Sequence, residues 1–330
     1  MSGPVSDDRR RAMLRTAMGP EIAAALADPL VVEIMVNPDG ALRVDRLGKG
    51  RENTGFRLEP AQVERIIRLA ASHARSEVHD ERPIVSAELP PHGGSAGERF
   101  EGILPPVSPA PCFSIRKPAA RIYALADYVA DGIMSPQAGR LLSLAVVERS
   151  NILVVGGTSS GKTTLANALL QEIAHLDERV ILIEDTRELQ CVAPDAVALR
   201  TRAGIVTMAD LVRSTLRLRP DRIIVGEVRG AEALDMLKAW NTGHPGGIAT
   251  IHANSAESAL HRLEQLMQEA VLVVPRTLIA DAIDLIVFIA GRGVSRRIET
   301  ILRVAGLHPD GRYILIDITP APQETDHACC

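Results

Sequence analysis

Apolar and polar positions alternate in the first third of the chain. Between residues 30 and 44 the alternation continues on both sides of an Asn-Pro-Asp-Gly turn at 37–40, which predicts a β-hairpin. A helical pattern opens at Pro60. Extended segments are predicted at 98–103 and 112–116, on either side of a proline-rich loop that cannot belong to a helix or a central strand. Together these elements predict a small α+β domain.

The pattern changes after about residue 135. Short continuous apolar runs then alternate with helical segments, which is typical of a mostly parallel sheet covered by helices on both faces. The runs lie at 151–155, 180–183, 222–225 and 247–251, and later runs at 283–289, 298–304 and 313–318 are candidates for edge strands. We therefore predict an α/β fold for this part of the chain.

The two patterns predict two domains, and so does the length of 330 residues. We predict an N-terminal α+β domain at 1–117, a linker at 118–135 and an α/β domain at 136–330. The charged N-terminus is predicted to be disordered over 1–20, and residues 320–330 are predicted to form a flexible tail.

Composition narrows the classes of function. Only 2% of the residues are aromatic and the formal net charge is -4, so neither base stacking nor a general attraction to phosphate backbones favours nucleic-acid binding. The four cysteines lack the CxxC spacing of a zinc site. The sequence has no signal-peptide pattern and no apolar run long enough to cross a membrane, so we expect a cytoplasmic protein.

The strongest motif directly follows the apolar run at 151–155. It matches the phosphate-binding pattern GxxxxGK[ST], in which backbone N–H groups surround phosphate oxygens. Lys162 is predicted to reach the β- and γ-phosphates of ATP, and the Thr163 hydroxyl to bind Mg²⁺. The predicted nucleotide-binding residues are Gly156, Gly157, Thr158, Ser159, Ser160, Gly161, Lys162, Thr163 and Thr164.

Two further apolar runs end in carboxylates. The first ends in Glu184 and Asp185, which alternation sends to opposite faces, and we predict that Glu184 faces the nucleotide as a catalytic residue and a metal ligand. The second ends in Glu227, which is predicted to orient and deprotonate the attacking water. A solvated strand end is the alternative for each.

Two histidines bracket the apolar run at 247–251. His244 lies in the Gly-rich approach and His252 directly follows the run. A lone histidine is more often structural, but an imidazole at a strand end can sense a γ-phosphate. Both are therefore candidate site residues.

These segments, in this order, resemble the ATPases of type II secretion, type IV pili and type IV secretion. The matching text is GGTSSGKTT, ILIEDTREL, LRLRPDRIIVGEVRGAEAL and TGHPGGIATIHANS, and the resemblance covers about residues 30–305. It implies a RecA-like C-terminal domain, a PAS-like N-terminal domain, ATP and Mg²⁺ as ligands, and a homohexameric ring. It also implies a cytoplasmic location at the inner membrane, where the ring would contact components of a secretion channel.

Within that superfamily the sequence is most similar to the conjugal-transfer ATPases, through SIRKPA, EDTRELQC and LKAWNTGHPGG. The implied function is ATP hydrolysis that powers pilus biogenesis and the translocation of DNA or protein. A pilus or type II secretion motor and a nucleotide-dependent switch with little hydrolysis are the alternatives. Ser159 stands where many relatives have glycine, an exchange that matters little if its backbone angles are ordinary.

The resemblance also implies a role for Arg99 and Arg116, which lie on the two segments that flank the proline-rich loop. Traffic ATPases carry N-terminal arginines at similar places and direct them at the γ-phosphate. Such a guanidinium neutralises the charge that develops on the transferred phosphoryl group. Both arginines are therefore candidate catalytic residues.

Overall fold

A computed structural model of the protein describes residues 4–91, 97–118, 122–202 and 204–321. The chain divides into two compact units, Met1–Ala120 and Arg121–Cys330. Each has a hydrophobic core of its own. Of the predicted flexible tail, residues 322–330 lie outside the described part of the chain.

The first unit is an antiparallel sheet with helices. Its six strands run in the order β3-β2-β1-β6-β5-β4. The strands are β1 (Val31–Val36), β2 (Ala41–Arg46), β3 (Gly50–Arg57), β4 (Ile84–Glu88), β5 (Arg99–Ile103) and β6 (Cys112–Arg116), and the helices are α1 (Pro4–Ala27) and α2 (Pro60–His73). The predicted hairpin is β1 and β2, and the α+β class predicted for this part of the chain is confirmed.

Alternation along the strands divides the sheet of this unit into two faces. Ile34 of β1 lies opposite Ile115 of β6, and both are fully buried, as is Phe100 of β5. These side chains share one core with the apolar residues of α1 and α2. Arg99 and Arg116 occupy alternate positions of the same strands, and so they lie on the other face of the sheet.

The prediction of disorder over 1–20 is wrong from Pro4 onward. Helix α1 covers Pro4–Ala27 with an interruption at Gly19, whose φ is 75°. Leu14 and Met18 are buried in the core, and the Gln62 side chain of α2 donates a hydrogen bond to the Ala17 carbonyl. Charge dominates the composition of this segment, but a short apolar stripe at helical spacing is enough to fix it against α2.

The second unit holds eight strands in the order β14-β13-β12-β7-β11-β10-β8-β9. The strands are β7 (Ile152–Gly156), β8 (Arg179–Glu184), β9 (Asp195–Arg200), β10 (Arg222–Val228), β11 (Ile248–His252), β12 (Leu285–Ala290), β13 (Arg297–Leu307) and β14 (Tyr313–Asp317). The six strands from β12 to β9 are parallel, and β13 and β14 add an antiparallel edge.

Helices cover both faces of this second sheet. They are α3 (Leu125–Ala130), α4 (Pro136–Val147), α5 (Lys162–Ile173), α6 (Met208–Thr215), α7 (Glu232–Asn241), α8 (Ala256–Met267) and α9 (Arg276–Ala282). In β7, Ile152 and Val154 face the core with α3, α4 and α5, whereas Leu153 and Val155 face the core with α6 to α9. A strand buried on both sides must be apolar throughout, which explains the continuous run at 151–155.

The predicted linker at 118–135 is partly helical. Helix α3 lies within it, and Leu125 and Tyr128 of this helix are buried in the core of the second unit. This stretch therefore packs with the second unit, and the linker bounds of 118–135 stay a prediction. No helix in the described part of the chain combines the length and the apolar composition that crossing a membrane requires.

Candidate active site

The phosphate-binding motif forms the connection between β7 and α5. Gly156 ends the strand, and a Cβ atom there would lie 2.5 Å from both the Ile289 carbonyl oxygen and the Ser160 Oγ. Gly161 has a φ of 98° and precedes the first residue of α5. Glycine is needed at the first position for the close approach and at the second for the left-handed backbone.

Ser159 also lies in the left-handed region, with a φ of 61°. The condition under which the exchange of glycine for Ser159 matters little, ordinary backbone angles, is therefore not met. A residue with a Cβ atom pays roughly 1–2 kcal/mol for this conformation. The turn thus imposes on Ser159 backbone angles that a glycine would adopt without strain.

The first turn of α5 can receive an anion. Gly161 offers no side chain to the first amides of the helix, and such uncapped N–H groups form a binding site for phosphate oxygens. The Lys162 ammonium donates a hydrogen bond to the Gly157 carbonyl, 3.0 Å away, and so lies over the loop. The loop backbone, Lys162 and the half-buried Thr163 and Thr164 fit the polyphosphate of a nucleotide.

Glu188, which the sequence analysis missed, lies beside the predicted magnesium ligand. The Thr163 hydroxyl donates a hydrogen bond to Glu188 Oε2 over 3.2 Å. Asn167, one helical turn after Thr163, donates to the Glu188 carbonyl at 3.0 Å and accepts from the Gln190 amide at 2.8 Å. Helix α5 therefore holds this carboxylate against the phosphate loop, and the hydroxyl and carboxylate oxygens are the donors that Mg²⁺ prefers.

Glu184 has a different environment. Its side chain is only 3% exposed, and Oε1 accepts hydrogen bonds from the backbone amides of Glu188 and Leu189 at 2.9 and 2.7 Å. Burial raises the pKa of Glu184 to about 7, although the two backbone amides oppose the rise. Here Glu184 orders the turn that presents Glu188, and its roles as catalytic residue and metal ligand stay predictions.

Glu227 lies near the carboxyl end of β10, at the same edge of the sheet as the phosphate loop. Its carboxylate accepts a hydrogen bond from Arg229 Nε at 2.9 Å. Arg229 also lies 3.8 Å from Asp185, so one guanidinium connects Glu227 of β10 with the carboxylate that follows β8. Burial lowers the pKa of Arg229, but Glu227 and the neighbouring carboxylates hold it above its ordinary value.

The two histidines lie at opposite ends of β11. His252 is exposed at the carboxyl end and is the Cα partner of Gly156, which places it beside the phosphate loop. His244 precedes the strand, where its Nδ1 lies 3.3 Å from the Ala239 carbonyl oxygen. The strand alone separates the two edges by ~13 Å, so the position of His244 does not support its predicted role at the nucleotide of the same chain.

The two candidate arginines of the first unit are neighbours. Arg99 of β5 and Arg116 of β6 are Cα partners in the antiparallel register, so their side chains lie on the same face of that sheet. Glu88 and Glu33 are the next Cα partners on either side. Arg116 is exposed and Arg99 is half-buried.

The pKa of Glu184 leads to a testable pH dependence. The folded state raises this pKa from 4.5 to about 7. The contribution of the protonated Glu184 carboxyl to the free energy of unfolding is therefore complete below pH 4.5 and is lost as the pH rises through 7. Glu184→Gln keeps an acceptor but cannot ionise. Between pH 5 and pH 8, the unfolding free energy of Glu184→Gln should therefore rise by about 2–3 kcal/mol relative to that of wild type.

Urea titrations of both proteins at the two pH values measure this difference. Glu257→Gln is the matched control, because Glu257 is exposed on α8. A difference between Glu184→Gln and wild type that does not change with pH would show that the buried carboxyl does not titrate in this range.

The chain is similar in sequence to proteins of known family. A "Conjugal transfer protein TrbB" of Rhizobium radiobacter is 49% identical over 295 residues, which are 89% of this chain and 90% of the relative. A "Probable conjugal transfer protein TrbB" of Sinorhizobium fredii is 49% identical over 302 residues, or 91% of each chain.

A solved structure, "Crystal Structure of the Pilus Retraction Motor PilT and Bound ADP", aligns with a TM-score of 0.61 and 21% identity, over 92% of this chain and 83% of that one. At this identity the likeness concerns the fold, and the RecA-like α/β class predicted from the sequence is confirmed. Residues 18–296 match the family described as "Type II/IV secretion system protein". The chain therefore belongs to the type II/IV secretion system protein family, as its motifs predicted.

Proposed function

We propose that this chain is a TrbB-type ATPase whose hydrolysis of ATP powers conjugal transfer through a type IV secretion system. One observation carries the enzymatic part of the proposal. The carboxyl edge of a single parallel sheet carries the phosphate loop, in which Thr163 contacts Glu188, and it also carries Glu227, two strands away on β10. Membership of the secretion family and the two TrbB relatives support the conjugal part.

Binding of ATP is the first task of the site. The loop backbone and the first amides of α5 hold the phosphate oxygens, and the Lys162 ammonium moves from the Gly157 carbonyl to the β- and γ-phosphates. Thr163 and Glu188 would hold Mg²⁺, which supplies charge neutralisation to the phosphates when it is bound. Asn167 keeps Glu188 in place for this purpose.

Hydrolysis requires a base for the attacking water. Glu227 takes this role in our proposal, because its carboxylate lies at the carboxyl edge and Arg229 fixes its orientation. His252, beside Gly156, is placed to respond to the γ-phosphate. Glu184 acts through Glu188 and is a positioning residue in this scheme.

Turnover also involves the first unit in this proposal. Arg99 and Arg116 present two guanidinium groups side by side on one sheet face. A pair of fixed positive charges can neutralise the charge that develops on a transferred phosphoryl group. Six copies of the chain would form the working ring at the inner membrane, where it would contact the channel of the secretion system.

Lys162→Ala tests the proposed function. We expect loss of ATP hydrolysis, weaker ATP binding and loss of DNA transfer, because the variant lacks the cation that the loop supplies to the phosphates. Phosphate release by the purified chain and mating frequency of a donor strain complemented with each variant are the two measurements. Lys238→Ala, which removes an exposed lysine of α7, is the control.

Unchanged phosphate release in Lys162→Ala would contradict the assignment of the site. If Lys162→Ala loses phosphate release but the donor strain still transfers DNA normally, the chain would instead be another secretion or pilus motor. A wild-type chain that binds ATP without releasing phosphate would favour the nucleotide-dependent switch.

Three conservative variants separate the roles of the carboxylates. Glu227→Gln should bind ATP normally and hydrolyse it about 100-fold more slowly, because the amide keeps the shape but cannot accept the proton. Glu188→Gln should instead raise the Mg²⁺ concentration that gives half-maximal rate. The rate is measured as phosphate release across a Mg²⁺ titration.

Glu257→Gln again serves as the exposed control for these rates. If Glu184→Gln slows hydrolysis far more than Glu227→Gln, the roles of base and positioning residue must be exchanged.

Arg99→Ala and Arg116→Ala test the contribution of the first unit. Each variant should fold and bind ATP but lose most of its turnover, because arginines that act on the transferred phosphoryl group contribute roughly 10³-fold or more. Arg51→Ala is the control, since Arg51 is an exposed arginine on β3 of the same sheet. Turnover within twofold of wild type in both variants would show that these arginines are ordinary surface residues.

A further inference from the structure

Arg296 lies beside the phosphate loop, although the motif does not contain it. Strand β12 runs parallel to β7 with Phe288 as the Cα partner of Val155, so both strands end at the same edge of the sheet. Arg296 follows a short helical turn, Gly293–Ser295, between β12 and β13. The Ile298 amide then donates to the Ile133 carbonyl at 2.7 Å, which anchors the start of β13.

The guanidinium of Arg296 packs against the last glycine of the phosphate loop. A Cβ atom on Gly161 would lie 2.9 Å from both Arg296 Cζ and Nε, which is closer than real Cβ atoms come to other atoms. Gly161 therefore serves two needs at once, a φ of 98° and room for this side chain. The charge of Arg296 lies where the loop turns into α5.

This charge lacks a counter-ion within the described part of the chain. No carboxylate of the described residues forms an ion pair with Arg296, and its buried Nε has no hydrogen-bond partner among them. The Tyr128 hydroxyl is buried nearby and also lacks a partner there, but burial raises the pKa of Tyr128, so the phenol stays neutral. An unpaired, partly desolvated guanidinium is costly unless a ligand supplies the anion.

Two other arginines near this edge differ in this respect. Arg229 is held by Glu227 and lies near Asp185. Arg297, the next residue in the chain, is exposed and forms an ion pair with Glu299. Of these three arginines, Arg296 is the one that contacts the phosphate loop and has no carboxylate partner among the described residues.

We propose that Arg296 binds the polyphosphate of the nucleotide and sets its affinity, as a second cation of the site supplied by the β12–β13 connection. The inference rests on the proposed nucleotide site and adds a residue to it. A guanidinium donates to phosphate oxygens through a planar fork and keeps its charge at all relevant pH values. Because Arg296 packs against the loop before any step of hydrolysis, it acts on binding rather than on the transferred group.

Two variants of the full chain separate charge from shape. Arg296→Gln keeps a polar planar end against Gly161 and removes the charge, whereas Arg296→Lys keeps the charge and removes the fork. We expect the Kd for ADP to rise at least about tenfold in Arg296→Gln, as for loss of a hydrogen bond to a charged group. Arg296→Lys should lie between Arg296→Gln and wild type.

The measurements are calorimetric titration with ADP at low and high salt, and steady-state hydrolysis of ATP. The difference in Kd between Arg296→Gln and wild type should narrow as salt screens the charge. The KM for ATP should rise while kcat at saturation stays within about threefold. Arg297→Ala is the matched control and should bind ADP like wild type.

Three results would contradict the binding role of Arg296 or the nucleotide site on which it rests. A folded Arg296→Gln that binds ADP within twofold of wild type would overturn the inference. So would an Arg296→Lys that binds as weakly as Arg296→Gln, because the positive charge would then contribute nothing to binding. Failure of wild type itself to bind ADP would instead overturn the proposed nucleotide site.

Discussion

The site depends on the parallel alignment of β7 between β11 and β12. This alignment sends the carboxyl ends of all three strands to one edge of the sheet, where the phosphate loop, His252 and the segment that carries Arg296 meet. The close approach at Gly156 and the left-handed backbone at Gly161 then turn the chain from strand to helix within five residues. A side chain at Gly156 would collide with the Ile289 carbonyl, and one at Gly161 would be strained at its φ of 98°.

Much of the fold could be predicted because the central strands of the second unit are buried on both faces. These strands are continuous apolar runs, and each predicted run from 151–155 to 313–318 coincides with a strand. The exposed elements escaped prediction. Strand β3 is polar along its length and β9 is largely exposed, so neither carries a periodic signal, although both are fixed by pairing with a neighbour. Helix α1 was missed because its many arginines obscured a narrow apolar stripe.

The candidate site was predictable where the chemistry is local in sequence. The phosphate loop is one continuous motif, whereas the carboxylates acquire their environments from tertiary contacts. Alternation along β8 sends Glu184 and Asp185 to opposite faces, but alternation ends with the strand. Glu188 meets Thr163 because Glu184 and Asn167 both hold the following turn. Arg296 lies 135 positions after Gly161 in the chain, and nothing in the sequence alone brings the two together.

The central claim is that this edge of the sheet holds ATP and Mg²⁺ in the geometry of hydrolysis. A cryo-electron microscopy structure of the full chain with Mg²⁺ and a non-hydrolysable ATP analogue tests it most directly. The account predicts phosphates inside the loop at 156–163, the metal ion beside Thr163 and Glu188, and a water between the γ-phosphate and Glu227. A nucleotide bound elsewhere, or a metal ion held without Thr163 and Glu188, would contradict it.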